Sequence, residues 1–521
     1  MRLMKTIFDK IRSRSERGQA IILIAFSMVG LVAAVGLMID GGIALVEYAR
    51  LKRGIDAASI AAASQFRKNF TGEELEKAGR EFLRFNQSDA AVTIFTCSCP
   101  PDEPNCLANG WHLDDSLCAP AGQPQRKLVR VTASKKVTFG FMRVVGIKET
   151  TISATAIGEA ASIDMVLAID TSSSMAYETT PGGDPDRSDR AVPGVHPGDD
   201  PIACNNDPNR RCEPMGTIKD IAIDFVEELF YPYDRVSVVA FTGQTTDGTA
   251  TREPFLVLPF EDNQDCDANG LNCVANTDIE DAIRSLRVYQ PPVCPLPMAA
   301  HTDFLGPCLY FEPHYIGQTC IPYQVGVDDG SGNIVFDPTS CGASNIGGGL
   351  FLAGDQFADA RQDSFWAVIA LIGGPANAAV LPTAPSPHVG FCPPATWDLP
   401  GGSGFCRDLD HPTATRHTRN VDGTYPANYD ADDYARDGAD YITSPTTGQG
   451  ATLYSICLGR YCSAYPNSFD PASAEHLGQY MALEAGGVNA NHGLYFQSNN
   501  ASDLAQVFAS IADNIFTRIS Q

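Results

Sequence analysis

The sequence predicts an α/β protein: an N-terminal membrane helix, a small α+β domain, then a doubly wound domain on a mainly parallel sheet with long disulfide-rich insertions. Three observations carry this. Residues 20–39 form a stretch of twenty without a charge behind a basic flank, long enough to span a bilayer as a helix. From residue 161 onward, strand-like and helix-like periodicity alternate, the pattern of a parallel sheet covered on both faces. The apolar run 165–169 stops abruptly at Asp170-x-Ser172-x-Ser174, as a fully buried strand does at its polar turn.

Residues 1–17 read as a basic cytoplasmic tail, with Arg2, Lys5, Lys10, Arg12, Arg14 and Arg17 against Asp9 and Glu16. Positive charge before an apolar span places the N-terminus inside and the rest of the chain outside the cytoplasm. A cleaved signal peptide shares the basic flank. The span is longer than a signal core, however, and no small-x-small cleavage site precedes Asp40, so an uncleaved single-pass anchor is favoured. The alanine-rich continuation favours helix, which extends the anchor as a stalk over 18–65.

Residues 66–160 contain an amphipathic helix pattern at 72–86 and strand patterns at 91–95, 127–133 and 150–156. The stretch 139–145 is apolar and ambiguous. In the third part, 161–521, strands are expected at 165–169, 234–241, 254–260, 365–372, 451–458 and 494–497. Helices are expected at 218–229, 278–286, 345–360, 472–484 and 504–519. Three long segments rich in Pro, Gly, Asp and Cys, near 176–215, 290–343 and 375–448, read as insertions. Loops that long are functional or disordered.

Composition limits the classes of function. The 521-residue chain carries a formal charge of −25, which argues against a nucleic-acid binder with its basic face. None of the 16 cysteines precedes Cys97, and those that follow fall in even, local groups. In an exported chain that pattern reads as disulfides within loops. A four-thiolate zinc site on Cys97, Cys99, Cys106 and Cys118 is the competing reading for the first group. The scattered histidines form no His-Glu-x-x-His pair, and there is no Gly-x-Ser-x-Gly elbow. Gly347-Gly348-Gly349 lacks the following Lys-Ser/Thr of a phosphate loop. No enzyme is expected.

Asp170, Ser172 and Ser174 lie where ligands bind in open α/β sheets, beyond the carboxyl end of a strand. A carboxylate with two hydroxyls is a hard oxygen set, suited to Mg²⁺ or Ca²⁺. The bland alternative is that Asp170 or Ser172 caps a following helix. The strand, the motif and the element order, ending in Phe508-Ala-x-Ile-Ala-x-x-Ile, resemble a von Willebrand factor type A domain with its metal-ion-dependent adhesion site. That resemblance implies further ligands from two later loops. Ser344, ahead of the helix at 345, takes the place of the usual Thr and keeps its hydroxyl; a helix cap is its other reading. Gly373 stands after the buried strand where the usual Asp would be. Losing one carboxylate should weaken affinity, and Mg²⁺ is favoured over Ca²⁺. Val327 to Asn333, though acidic, reads as a turn rather than a calcium loop.

The order Arg17-Gly18-Gln19, apolar span, Ile39-Asp40-Gly41, then Leu51 and Asp56-Ala57-Ala58 resembles the N-terminus of TadE/TadG-like proteins of tight-adherence (Flp) pilus assembly. Residues 129–156 resemble the segment that precedes a type A domain in TadG-like members. Prepilin-type members carry Glu at the fifth position after the cleaved Gly; counted from Gly18 that is Leu23, the pattern of an uncleaved member. The resemblance implies a protein of the bacterial cytoplasmic membrane whose extracytoplasmic part binds another protein, a pilus or secretion component or a surface ligand. The alternative is a structural envelope component whose type A fold binds no metal.

Overall fold

A computed structural model describes residues 2–66, 71–176, 211–242, 254–289, 344–376, 416–459, 474–498 and 501–519, apart from short gaps, with isolated stretches between 205 and 343 and at Cys462. It divides into two units, Met1–Ala160 and Ala161–Gln521.

The first unit is organised by one helix, α1 (Arg2–Ala63), 62 residues long. Tail, span and stalk are thus one continuous helix. Its stretch Ala20–Ala63 is long and apolar enough to cross a membrane. Side chains from Ile21 to Met28 are exposed, whereas Leu51, Ile55, Ala58 and Ala62 are buried. That i, i+4 spacing turns one face of the stalk inward. It meets α2 (Gly72–Asn86), whose Leu75 and Leu83 are buried. The strands β1 (Ala91–Thr96), β2 (His112–Leu113), β3 (Lys127–Thr138) and β4 (Glu149–Ala160) form a sheet in the order β2-β1-β3-β4. Along β3, Val129, Val131 and Ala133 are buried at every second position, the period of a strand with one covered face. The pairing of β3 with β4 runs in unbroken register from Lys127↔Ala160 to Thr138↔Glu149. The ambiguous stretch at 139–145 is the tip of this hairpin and carries a short 3-10 turn, Met142–Val145.

The second unit holds a six-stranded sheet. Its strands are β5 (Ser162–Asp170), β6 (Arg235–Phe241), β7 (Phe255–Glu261), β8 (Ser364–Ile372), β9 (Thr452–Leu458) and β10 (His492–Ser498), in the order β10-β9-β8-β5-β6-β7. Only β7 runs antiparallel to its neighbour. The chain builds outward from β5 to one edge, then returns to β8 on the other side of β5. That reversal puts a crevice at the carboxyl ends of β5 and β8.

Successive strand residues feed opposite cores. Met165, Leu167 and Ile169, with Val238, Ala240, Ile369 and Leu371, pack on α3 (Met215–Glu227), α4 (Thr277–Ser285) and α8 (Leu504–Ile519). Val166, Ala168, Val239, Phe241, Val368 and Ala370 pack on α5 (Ile346–Asp355), α6 (Ala431–Thr443) and α7 (Ala474–Leu483). The Gly347–Gly349 run belongs to this second core. A Cβ on Gly349 would lie 2.4 Å from the Phe241 ring, and one on Gly347 would lie 2.4 Å from the Tyr434 ring. The glycines let α5 approach the sheet and α6 closely.

Helix α6 corrects one expectation. The sequence reads an insertion near 375–448, yet Ala431, Tyr434, Ala435, Ala439 and Ile442 line the second core. Asp430 caps the helix by accepting from the Asp432 and Asp433 N–H groups at 3.0 and 3.1 Å. Most of 176–215 and of 375–430 lies outside the described residues, as do residues 329–333 of the acidic turn. Within 290–343 the structure describes two hairpins, Leu309–Phe311 with Gln318–Cys320 and Tyr323–Asp328 with Ile334–Asp337.

Cys97 is bonded to Cys118 and Cys457 to Cys462; Cys99 and Cys212 are also in disulfides. No free cysteine occurs among the described residues. The disulfides of Cys97, Cys99 and Cys118 replace the alternative of zinc thiolates, because a sulfur in a disulfide is not the thiolate that metal requires.

Candidate functional site

Asp170 ends β5, fully buried, at the crevice formed by the strand reversal. The β5–β8 register, with Leu371 opposite Ile169, brings the ends of these two strands level. Gly373 therefore arrives beside Asp170 from a point 203 residues later, and its N–H donates to Asp170 Oδ2 at 3.1 Å. Ser344 comes from the turn ahead of α5 and donates from Oγ to the same Oδ2 at 2.8 Å. The Ser172 N–H donates to Oδ1 at 2.8 Å, and Ser172 Oγ lies 2.9 Å from Ser174 Oγ. Asp170, Ser172, Ser174 and Ser344 thus lie together in one site.

Both capping alternatives can be examined directly. Asn345, not Ser344, caps α5, accepting from the Gly348 N–H at 3.0 Å. That leaves the Ser344 hydroxyl for Asp170. Asp170 does tie down the short 3-10 turn Ser173–Ala176 through the Ser172 amide. This local role draws Ser172 and Ser174 back over the strand end.

Burial is the largest influence on the Asp170 carboxyl and raises its pKa above the ordinary value, despite opposing hydrogen bonds from Ser172, Ser344 and Gly373. Burying a carboxylate without a counter-charge disfavours its ionised form. Thr171, Ser172 and Ser344 are buried with it, and Ser174 is half-buried. A Cβ on Gly373 would lie 2.6 Å from Ser174 Oγ and 2.3 Å from Met175 Cε. The missing side chain would therefore project toward the hydroxyl pair. Among the described residues, no group of three or more His, Cys, Asp or Glu side chains could hold a metal ion. Oxygen donors here come from one carboxylate and three hydroxyls.

Two other charge clusters lie in the second unit, and neither was singled out from the sequence. At the amino end of β5, buried Asp164 accepts from Arg235 at 3.0 and 2.7 Å, from Arg361 Nε at 3.0 Å and from Ser364 Oγ at 2.9 Å. Burial works against its ionisation, but the two guanidinium groups outweigh it and hold the pKa below the usual carboxylate range. An acid directly ahead of the apolar run 165–169 was the available signal. Around α6, Arg416 pairs with Asp437 and Asp440 at 2.7 and 2.8 Å, and Arg436 pairs with Asp432 at 2.7 Å. Burial pushes the neighbouring Asp433 carboxyl up to about 6. Both clusters contain their own cations and brace the fold.

No protein-family model matches the chain, and no curated protein matches it. Solved structures to which the chain is weakly similar include the PilB minor pilin from Streptococcus sanguinis, at 13% identity and TM-score 0.33, covering 76% of each chain. The pilus adhesin SpaC from Lactobacillus rhamnosus GG is 11% identical with TM-score 0.31, covering 75% of this chain and 32% of that one. The pilus adhesin RrgA from Streptococcus pneumoniae is 9% identical with TM-score 0.32, covering 74% of this chain and 47% of that one. At these scores the likenesses carry no argument about the site.

Proposed function

We propose that the chain is a membrane-anchored, extracytoplasmic protein-binding module of type A fold, acting in Flp-type pilus assembly or surface attachment through a degenerate metal-ion-dependent site. The observation that carries this reading is the meeting of Asp170 with Ser344 and Gly373, 174 and 203 residues away in the chain. The strand order β10-β9-β8-β5-β6-β7, with a core on each face, supports the doubly wound type A fold.

A hard divalent cation suits the donor set. In an octahedral Mg²⁺ shell with bonds of roughly 2.0–2.1 Å, neighbouring oxygens lie about 2.9 Å apart. Ser172 Oγ and Ser174 Oγ are separated by 2.9 Å. Asp170 would supply fixed negative charge, and Ser172, Ser174 and Ser344 neutral oxygens. A bound cation would supply an electrophilic point for an acidic partner. Because Gly373 offers no carboxylate, a partner's carboxylate would complete the charge balance. The role proposed is binding rather than catalysis.

One observation favours the alternative of a metal-free structural component: both Asp170 oxygens already accept hydrogen bonds within the protein. A strain producing the full chain separates the readings. Asp170→Ala should abolish cation-dependent surface attachment, and EDTA should do the same to the wild type. Equal attachment by wild type, mutant and EDTA-treated cells would overturn the proposal. The anchor is tested independently with an impermeant thiol reagent and a cysteine introduced near residue 70. Labelling in intact cells is expected; protection there, with labelling at the N-terminus, would reverse the topology.

A further inference from the structure

The β3–β4 hairpin tip, residues 139–148, is apolar apart from Arg143 and Lys148 and is fastened to α1 where its uncharged span ends. Asp40, the first charged residue after that span, accepts three backbone N–H groups from the tip: Gly140 at 3.0 Å, Phe141 at 2.9 Å and Met142 at 2.6 Å. One turn further in, a Cβ on Gly36 would lie 2.6 Å from Phe141 Cβ. The tip therefore lies along the span. Between them is a cleft of about 670 Å³ whose lining includes Met28, Val29, Val32, Leu37, Phe141 and Val144. Phe141 and Val144, which line it, and Ile147 nearby are 47%, 88% and 45% exposed.

Depth and backbone chemistry indicate what covers this surface. Met28 precedes Asp40 by twelve residues, or about 18 Å along a helix at ~1.5 Å per residue. Half of a hydrocarbon core is about 15 Å, so the cleft would run through one leaflet. A polypeptide loop in hydrocarbon must satisfy its own backbone groups. Besides the three amides held by Asp40, Phe139 N–H donates to the Lys148 carbonyl at 3.0 Å and Val144 N–H to Phe141 at 3.1 Å. Gly146 N–H donates to Arg143 at 3.1 Å and Ile147 N–H to Met142 at 3.0 Å. Arg143 and Lys148, both exposed, are long enough to carry their charges back to the headgroups.

We infer that this tip is immersed in the leaflet facing residues 40–160 and that its cleft with α1 seats a phospholipid acyl chain. The inference rests on the anchor proposed above. It makes the first unit a two-point membrane attachment, in which the hairpin fixes the rotation of α1 about its own axis.

The test uses the full chain in phosphatidylethanolamine/phosphatidylglycerol vesicles, with and without lipids brominated on their acyl chains. An environment-sensitive fluorescent amino acid is placed at position 144, or at 32 inside the span, or at the exposed position 85. Brominated lipid should quench most of the fluorescence at 144 and at 32 and leave 85 unchanged. Quenching at 32 without quenching at 144 would overturn the inference while leaving the anchor intact. In that case red-shifted emission at 144 would mean water, and blue-shifted emission would mean cover by protein, such as a second copy's helix. Absence of quenching at 32 would overturn the anchor itself.

Discussion

Replacing Gly373 with aspartate would test whether the third segment of the site faces a cation. The new Cβ would sit 2.3 Å from Met175 Cε and 2.6 Å from Ser174 Oγ, both movable side-chain ends. Inserting atoms into such a packed place costs about 1–3 kcal/mol, and the new carboxylate would also face buried Asp170. In EDTA, Gly373→Asp should therefore be less stable than wild type by roughly that amount. With a divalent cation the deficit should shrink, because a second carboxylate raises the site's charge count. A tenfold gain in affinity would return about 1.4 kcal/mol at saturating ion. Urea denaturation of both proteins in EDTA and in millimolar Mg²⁺ or Mn²⁺, alongside titration calorimetry, reads both terms. The reasoning predicts a deficit that shrinks with cation and a lower Kd for the variant. An equal deficit in both conditions with an unchanged Kd would show that position 373 does not face the ion.

Asp164→Asn should destabilise the second unit by about 3–5 kcal/mol, since it leaves Arg235 and Arg361 without their buried counter-charge; a urea midpoint within error of wild type would contradict this. The pH dependence has a defined sign. Asp433, near 6, and Asp170, also raised, bind more protons folded than unfolded, so in EDTA stability should fall as pH rises from about 4 through 6. Asp164, lowered, acts oppositely and loses its contribution as pH falls below about 4. Asp433→Asn should flatten the upper slope; an unaltered slope would remove Asp433 from the account. Mass spectrometry of unreduced peptides should find Cys97 linked to Cys118 and Cys457 to Cys462, and free thiols at these positions would contradict the structure.

The sequence was most legible where the chemistry is local. The helices at 72–86 and 504–519 coincide with α2 and α8 because their apolar spacing needs no distant information. The strand before Asp170 is fully buried, as its unbroken apolar run implied. Helix α6 was not legible because its acids and Gly438 mask the pattern. Yet an Asp cap followed by Ala431, Tyr434, Ala435, Ala439 and Ile442 was a usable signal. At the site, Asp170, Ser172 and Ser174 announce themselves within five residues. Ser344 and Gly373 could be paired with them only through the resemblance, since contacts across 174 and 203 residues leave no local trace. Asp164 stayed unread for the same reason, its two arginines lying 71 and 197 residues away. The hairpin tip remained ambiguous because its apolar residues follow no single period, Phe139 being buried while Phe141, Val144 and Ile147 are exposed.

The central claim is that Asp170 anchors a divalent cation, and titration calorimetry of the full chain with Mg²⁺, Ca²⁺ and Mn²⁺ tests it most directly. The account predicts saturable binding of one ion, with Mg²⁺ ahead of Ca²⁺. It also predicts loss of that binding in Asp170→Ala and weakening in Ser344→Ala, where one neutral oxygen is removed. Equal binding by wild type and Asp170→Ala would contradict it, because among the described residues of the site the buried carboxylate supplies the fixed negative charge.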